Sequence, residues 1–289
     1  TNYDDMVIHP REKDLVIGSH GQGVWILDDT RAIAEWNDAT NPVTVFSIPN
    51  GTIKLWKKDT SYRGQDKYAG ANPVDGVEVT YRLIDASSEA TMWVHAADGT
   101  LVRELTVPGS AGTHRVHWDL RHDGPGVQGQ WSRHNSPVLA RSIEAWGPWV
   151  SPGTYTVSIQ AGDQNAQNVV EVRGDPDMPM LTQQMYEDRE RFMLDAIALT
   201  TRISRTMRDF DMNATGGDSG FRNPTGSPRT PSEMLRTARR LAQQVYGSLN
   251  GGGVRPGSLY PPTQTQREQL LDAQELLSQA IGELREDLR

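Results

Sequence analysis

Between residues 77 and 173, apolar and polar side chains alternate in short runs, the period of a strand with one covered face and one wet face. Val77, Val79, Tyr81 and Leu83 fall on one face of the run 77–84, with Glu78, Thr80 and Arg82 on the other. The runs 91–96 and 101–107 flank Ala97-Asp98-Gly99-Thr100, whose central Asp-Gly is a tight-hairpin pair. In 112–121, His114, Val116, Trp118 and Leu120 share a face; 155–160 and 168–173 close the series, entered through the turn Pro152-Gly153.

The period changes on both sides of this region. Upstream, 14–19 and 23–28 read as two short strands around His20-Gly21-Gln22, with Gly21 free to take positive φ. A two-stranded hairpin is marginal alone, so it is expected to pack on something else, most simply beside the strands that follow. Residues 30–76 read as a connector, with a helical turn at Ala32–Trp36 and short strands at 43–48 and 52–56. Downstream of Asp175-Pro176 the apolar period becomes helical. Leu181, Met185, Phe192, Ala196, Thr200, Ile203 and Met207 mark one face of a long helix. A second starts at Thr230-Pro231-Ser232-Glu233, a capping box with proline in the first turn, and buries Leu235, Ala238, Leu241 or Ala242, and Val245. A third begins near Thr265-x-x-Glu268 and runs through Leu270, Leu277, Ile281, Leu284 and Leu288.

The expected fold is therefore mainly β with an α tail. An immunoglobulin- or fibronectin-like β-sandwich over 77–176 follows a β-hairpin and connector at 1–76 and precedes about three amphipathic helices at 177–289. The 27 glycines and 17 prolines suit a turn-rich β protein, and no apolar run is long enough to span a bilayer. There is no cysteine, which removes disulfides, thiolate metal sites and thiol nucleophiles together. The net charge of −8 is unevenly spread: residues 1–176 carry 22 acidic and 15 basic side chains, net −7, and the rest carry net −1. Neither part offers the basic surface that phosphate neutralisation needs, so nucleic acid is not an expected partner. The chain opens on Thr-Asn-Tyr-Asp-Asp, without the basic and apolar stretches of a signal peptide, and is expected to be a processed form or a piece of something longer.

The stretch IHPREKDLVIGSHGQGVWILDD, residues 8–29, resembles the last blade of bacterial sortilin-like, BNR-repeat propeller proteins, in which Gly-x-Trp-Ile-Leu-Asp-Asp follows a glycine-rich turn. The pair Gly112-x-His-Arg-Val-x-Trp-Asp-Leu-Arg121 and Ser151-Pro-Gly-Thr-Tyr-Thr-Val157 resembles the immunoglobulin-like domain that follows the propeller in that family, and the one in flagellar hook-capping proteins. The resemblance implies the C-terminal portion of such a protein, usually exported. The motif has no second copy in this chain and its Asp box is degraded, so the activity of a complete propeller is not expected from it.

Candidate chemistry is sparse. His114, His117, Asp119, His122 and Asp123 cluster in HRVHWDLRHD, but strand alternation puts His114 opposite His117 and Asp119, so only His117, Asp119 and His122 can converge, and no metal is expected. Asp28-Asp29 and Asp4-Asp5 are paired carboxylates of the kind glycosidases use, yet neighbours on a strand point apart, and turn or capping roles are expected. Gly18-x-x-Gly21-x-Gly23 opens no helix and lacks the lysine of a phosphate loop. No catalytic residue and no cofactor is expected. Trp131, Trp146 and Trp149, in a long insertion at 122–150, are either folded over the sandwich or exposed as an anchor for a protein or glycan.

The expected function is thus a non-catalytic, periplasmic or extracellular interaction module, with other protein subunits as partners. An outer-face subunit of a membrane-bound respiratory or photosynthetic complex is one example. The alternatives are the C-terminal part of a propeller hydrolase acting on glycans or peptides, and a carbohydrate-binding module using the Trp-rich insertion.

Overall fold

The computed structural model describes residues 2–55, 75–124, 147–210, 230–251 and 257–286. It divides the chain into two compact units, one of 1–54, 73–121 and 152–175 and one of 55–72, 122–151 and 176–289.

The first unit carries three β-sheets. β1 (Tyr3–Ile8), β2 (Leu15–Ser19) and β3 (Gly23–Leu27) form an antiparallel meander. The predicted hairpin is β2–β3, turned through Gly21 and Gly23 at φ +82° and +81°. β1 is an addition, for Asp4-Asp5 interrupts its apolar pattern and a bulge between Tyr3 and Asp5 shifts its register. Thr30 ties off the meander, its amide and hydroxyl donating to the Lys13 carbonyl at 2.9 and 2.6 Å. The helical turn α1 (Arg31–Ala34) and a 3-10 turn at Trp36–Asp38 follow.

β4 (Val43–Val45) and β5 (Gly51–Thr52), read from the sequence as connector strands, are edge strands of the other two sheets. β6 (Val77–Leu83), β7 (Ala90–Ala96), β8 (Leu101–Val107), β9 (Gly112–Trp118), β10 (Gly153–Ala161) and β11 (Gln164–Arg173) complete them. One sheet runs β5-β11-β10-β7-β8 and the other β4-β6-β9, all antiparallel except β5 on β11.

Each of these sheets buries one face, as the alternation predicts. Val77, Val79, Tyr81 and Leu83 are buried in the smaller sheet, and Met92, Val94, Val157 and Ile159 in the larger. The buried faces meet where Trp118 of β9 packs on Tyr155 of β10, ring centroids 5.3 Å apart. The Asn168 amide of β11 also donates to the Val45 carbonyl of β4 at 3.3 Å. Burial carries a price for polar atoms, and it is met locally: the Tyr81 hydroxyl donates to the Pro108 carbonyl at 2.5 Å, and the Trp118 indole N–H donates to the Arg121 carbonyl at 3.1 Å. Burial pushes the Tyr81 phenol far above its ordinary range, so it stays protonated and remains a donor.

The second unit is built on α2 (Gln183–Asp209), α3 (Pro231–Asn250) and α4 (Gln264–Glu286), which share one apolar core. Its fully buried residues include Met193, Ile203, Leu235, Ala242 and Ala273. Thr182 caps α2, and Thr230 with Glu233 forms the predicted capping box of α3. α4 starts earlier than predicted. Its box is Thr263 with Gln266, whose amide donates to the Thr263 hydroxyl at 3.3 Å while the Gln266 side chain accepts from the Thr263 amide at 2.8 Å. The helices alternate in direction, because Arg189 near the start of α2 donates to the Leu249 carbonyl at the end of α3, and Gln266 at the start of α4 donates to the hydroxyl of Ser248.

Trp118→Ala should lower the unfolding free energy by about 3–5 kcal/mol, and Tyr81→Phe by about 1 kcal/mol, both read from urea unfolding followed by circular dichroism. A Trp118→Ala chain as stable as the parent would mean that the two sheets do not depend on this contact.

Candidate functional site

Residues paired across β1, β2 and β3 lie on the same side of the sheet. One face carries Met6, Ile17 and Trp25 in one row and Ile8, Leu15 and Leu27 in the next. The other carries Val7, Val16 and Ile26, followed by Val24 beside Gly18. Apolar residues on both sides are the composition of a sheet covered on both sides. Here neither side is covered: Met6 is 62% exposed, Val7 58%, Val24 67%, Trp25 58% and Ile26 62%. The expectation that this element packs beside the following strands does not hold. Exposed apolar side chains thus lie on both faces of this sheet.

The acidic residues around the meander serve its turns. Asp29, at φ +48°, accepts from the Arg31 guanidinium at 2.6 Å and from its amide at 3.2 Å. Asp14 in turn accepts from the Asp29 amide at 3.0 Å. Asp29 thus takes the turn role expected of it.

The histidine cluster disperses. The His114 ring packs at a tilt on Tyr81, centroids 5.3 Å apart, and hydrogen-bonds the Ser110 carbonyl at 2.7 Å. His117 turns to the Asp75 carbonyl. His122 lies in the second unit, where its Nε2 meets Glu190 Oε1 at 2.5 Å. Asp119 keeps one carboxylate oxygen buried without a partner among the described residues. Among those residues no group of three or more His, Asp or Glu is placed to hold a metal ion.

Glu190 is the residue that the periodicity did not single out. Its Oε1 meets His122 and its Oε2 accepts from the Ser151 amide at 3.0 Å, so one helical side chain ties down both ends of the segment 122–151. The two ends also meet directly: the His122 amide donates to the Pro148 carbonyl at 3.0 Å, and a Cβ on Gly147 would collide with the His122 carbonyl. Burial pushes the Glu190 carboxyl up, but the hydrogen bonds from His122 and Ser151 outweigh this and hold it below its ordinary 4.5. The arrangement offers a paired, hydrogen-bonded carboxylate with a structural task.

Of the three tryptophans singled out as partner anchors, Trp149 is buried at 3% exposure. Trp131 and Trp146 lie outside the described residues. No helix among the described residues is long and apolar enough to cross a membrane.

No family model matches the sequence, and no curated protein matches it significantly. Among solved structures, the chain is similar to FlgD from P. aeruginosa, at 19% identity over 32% of this chain and 55% of that one, with a TM-score of 0.21. It is also similar to the BSP domain of a biofilm-associated protein, at 18% identity over 57% of this chain and 18% of that one, TM-score 0.24. A third is CueP, at 9% identity over 60% of this chain and 77% of that one, TM-score 0.20. The chain thus spans about half the length of the first and under a fifth of the second. At such scores none of the three carries an argument about fold or function. The β-rich character of the first unit rests on its own strand pairing.

A carboxyl held down in the folded state adds stability that is complete above its ordinary 4.5 and is lost as the pH falls through the folded value. Glu190→Gln should therefore cost about 2 kcal/mol at neutral pH and should flatten the fall in helical stability below pH 4.5. Urea unfolding of both chains across the acid range checks this, and parallel acid limbs would contradict it.

Proposed function

We propose that this chain is a non-catalytic structural or interaction module that works outside the cytoplasm as an accessory part of a larger assembly. One observation carries the reading: the β1–β3 sheet is apolar on both faces and open on both. A sheet of that composition belongs in the interior of a β-structure, and a propeller blade flanked by its neighbours is such a layer. The resemblance of residues 8–29 to the closing blade of sortilin-like, BNR-repeat proteins agrees with this. In that family an immunoglobulin-like sandwich follows the blades, the role we assign to β4–β11.

The partners are other protein subunits that cover β1–β3, and a membrane-bound respiratory or photosynthetic complex is one assembly of this type. The export usual in the family supports a periplasmic or extracellular location. The same open sheet favours a second reading, in which the covering layers belong to a propeller hydrolase of glycans or peptides and this chain is its C-terminal part. A carbohydrate-binding module is a third reading; of its three tryptophans, Trp149 is buried and Trp131 and Trp146 lie outside the described residues.

The tagged chain, recovered from the membranes and soluble fractions of its own organism, should elute from size exclusion with a defined protein partner. Trp25→Ser combined with Ile26→Ser should break that complex while changing the unfolding free energy by under about 0.5 kcal/mol. A chain that runs alone and monomeric in every preparation would rule the accessory role out. Hydrolysis of glycans or peptides by the recovered complex would move the assignment to the second reading.

A further inference from the structure

The helical unit hides a charge separation behind its near-neutral total. Because the helices alternate in direction, the C-terminal halves of α2 and α4 and the N-terminal half of α3 lie at one end. That end carries seven arginines (202, 205, 208, 236, 239, 240 and 285) against Asp209, Glu233, Glu283 and Glu286, net +3. The opposite halves carry Glu187, Asp188, Glu190, Asp195, Glu268, Asp272 and Glu275 against Arg189, Arg191 and Arg267, net −4.

The two ends also differ in how their charges are engaged. At the acidic end, Asp188 pairs with Arg191 at 3.4 Å and Arg267 at 3.9 Å, and Arg189 is buried on two backbone carbonyls. At the basic end Arg202, Arg205, Arg208, Arg236 and Arg240 are exposed and Arg239 is half-buried. Among the described residues the side chains of these six make no ion pair or hydrogen bond. They also stand in repelling register: 202 with 205, 205 with 208 and 236 with 239 are three apart, and 236 with 240 four apart. Each such pair destabilises a helix by about 0.2–0.5 kcal/mol. Asp209 and Glu233 stand at helical spacing from Arg205 and Arg236 but close no ion pair with them, so this end keeps a cationic excess that a counter-charge from outside would relieve.

We propose that this end of the helical unit docks a carboxylate-rich protein surface. Every cation in the cluster is an arginine, whose planar fork pairs two oxygens of one carboxylate, and none is a lysine. An anionic bilayer is the weaker fit for two reasons. Stable attachment to a membrane surface couples charge to apolar insertion, and no exposed large apolar side chain lies at this end among the described residues. The chain as a whole carries −8, which a uniformly negative surface repels and a local acidic patch does not. This inference stands apart from the open β-sheet and does not rest on it.

The test uses the full chain with labelled poly-L-glutamate as the probe and phosphatidylglycerol vesicles as the rival. Saturable binding of poly-L-glutamate is expected at low ionic strength, weakening as salt screens it. Arg205→Gln, Arg236→Gln and Arg240→Gln together should reduce affinity about tenfold, with the helical circular dichroism kept and the thermal midpoint equal or higher, because repulsion is relieved. The same three positions as lysine should restore part of the affinity, and Arg173→Gln, in the other unit, should change nothing. Three results would overturn the proposal: no binding at low salt, equal binding by the folded triple variant, or preference for the vesicles.

Discussion

Successive residues of a strand point to opposite faces, so a sheet can rest against its own chain on one side only if its other side tolerates water. That constraint sorts the three sheets of this protein. In β6 the odd positions 77–83 are apolar and the even positions polar, and β7 and β10 follow the same rule, so their sheets close on each other through contacts such as Trp118 with Tyr155. β1–β3 breaks the rule, with Trp25 on one face and Ile26 on the other. A sheet apolar on both sides needs two covers, and the described residues supply neither.

The histidines between positions 114 and 122, and Glu190, are each engaged in a local hydrogen bond. The histidines that crowd together between positions 114 and 122 separate in space because each finds a different acceptor: the Ser110 carbonyl, the Asp75 carbonyl and Glu190. Glu190 shows the same economy, since its two oxygens hold His122 and the Ser151 amide.

The period-2 runs and the Asp98-Gly99 turn identified β6 to β11 from the sequence, because each strand alternates and each turn residue has a mechanism. Gly99 sits at φ +84°, and the Asp98 carboxylate accepts from the Thr100 amide at 2.9 Å. The helices were equally readable from their 3.6-residue stripes, down to the Thr230–Glu233 box. What escaped was short or masked by charge. The strand expected at 52–56 is trimmed to the two residues of β5, and the Asp4-Asp5 pair concealed β1. Arg189, buried, and Glu190, half-buried, escaped because an ionised side chain is unusual away from water, and only its tertiary partners reveal why it is tolerated. The exposed apolar surface was invisible for a related reason: a run such as Gly23–Leu27 reads as an ordinary buried strand until the structure shows that nothing lies against it.

The parallel pairing of β5 with β11 sets Gly51 beside Val172 and Thr52 beside Arg173. Residues from the first fifth of the chain thus wait for the last strand of the unit before they find a hydrogen-bonded neighbour. On the ribosome, that edge of the larger sheet cannot close until the whole stretch between them has emerged. The closure entropy of so long a loop is met by two residues of ladder, the Ile53 amide on the Arg173 carbonyl, and contacts nearby such as Asn168 with Val45.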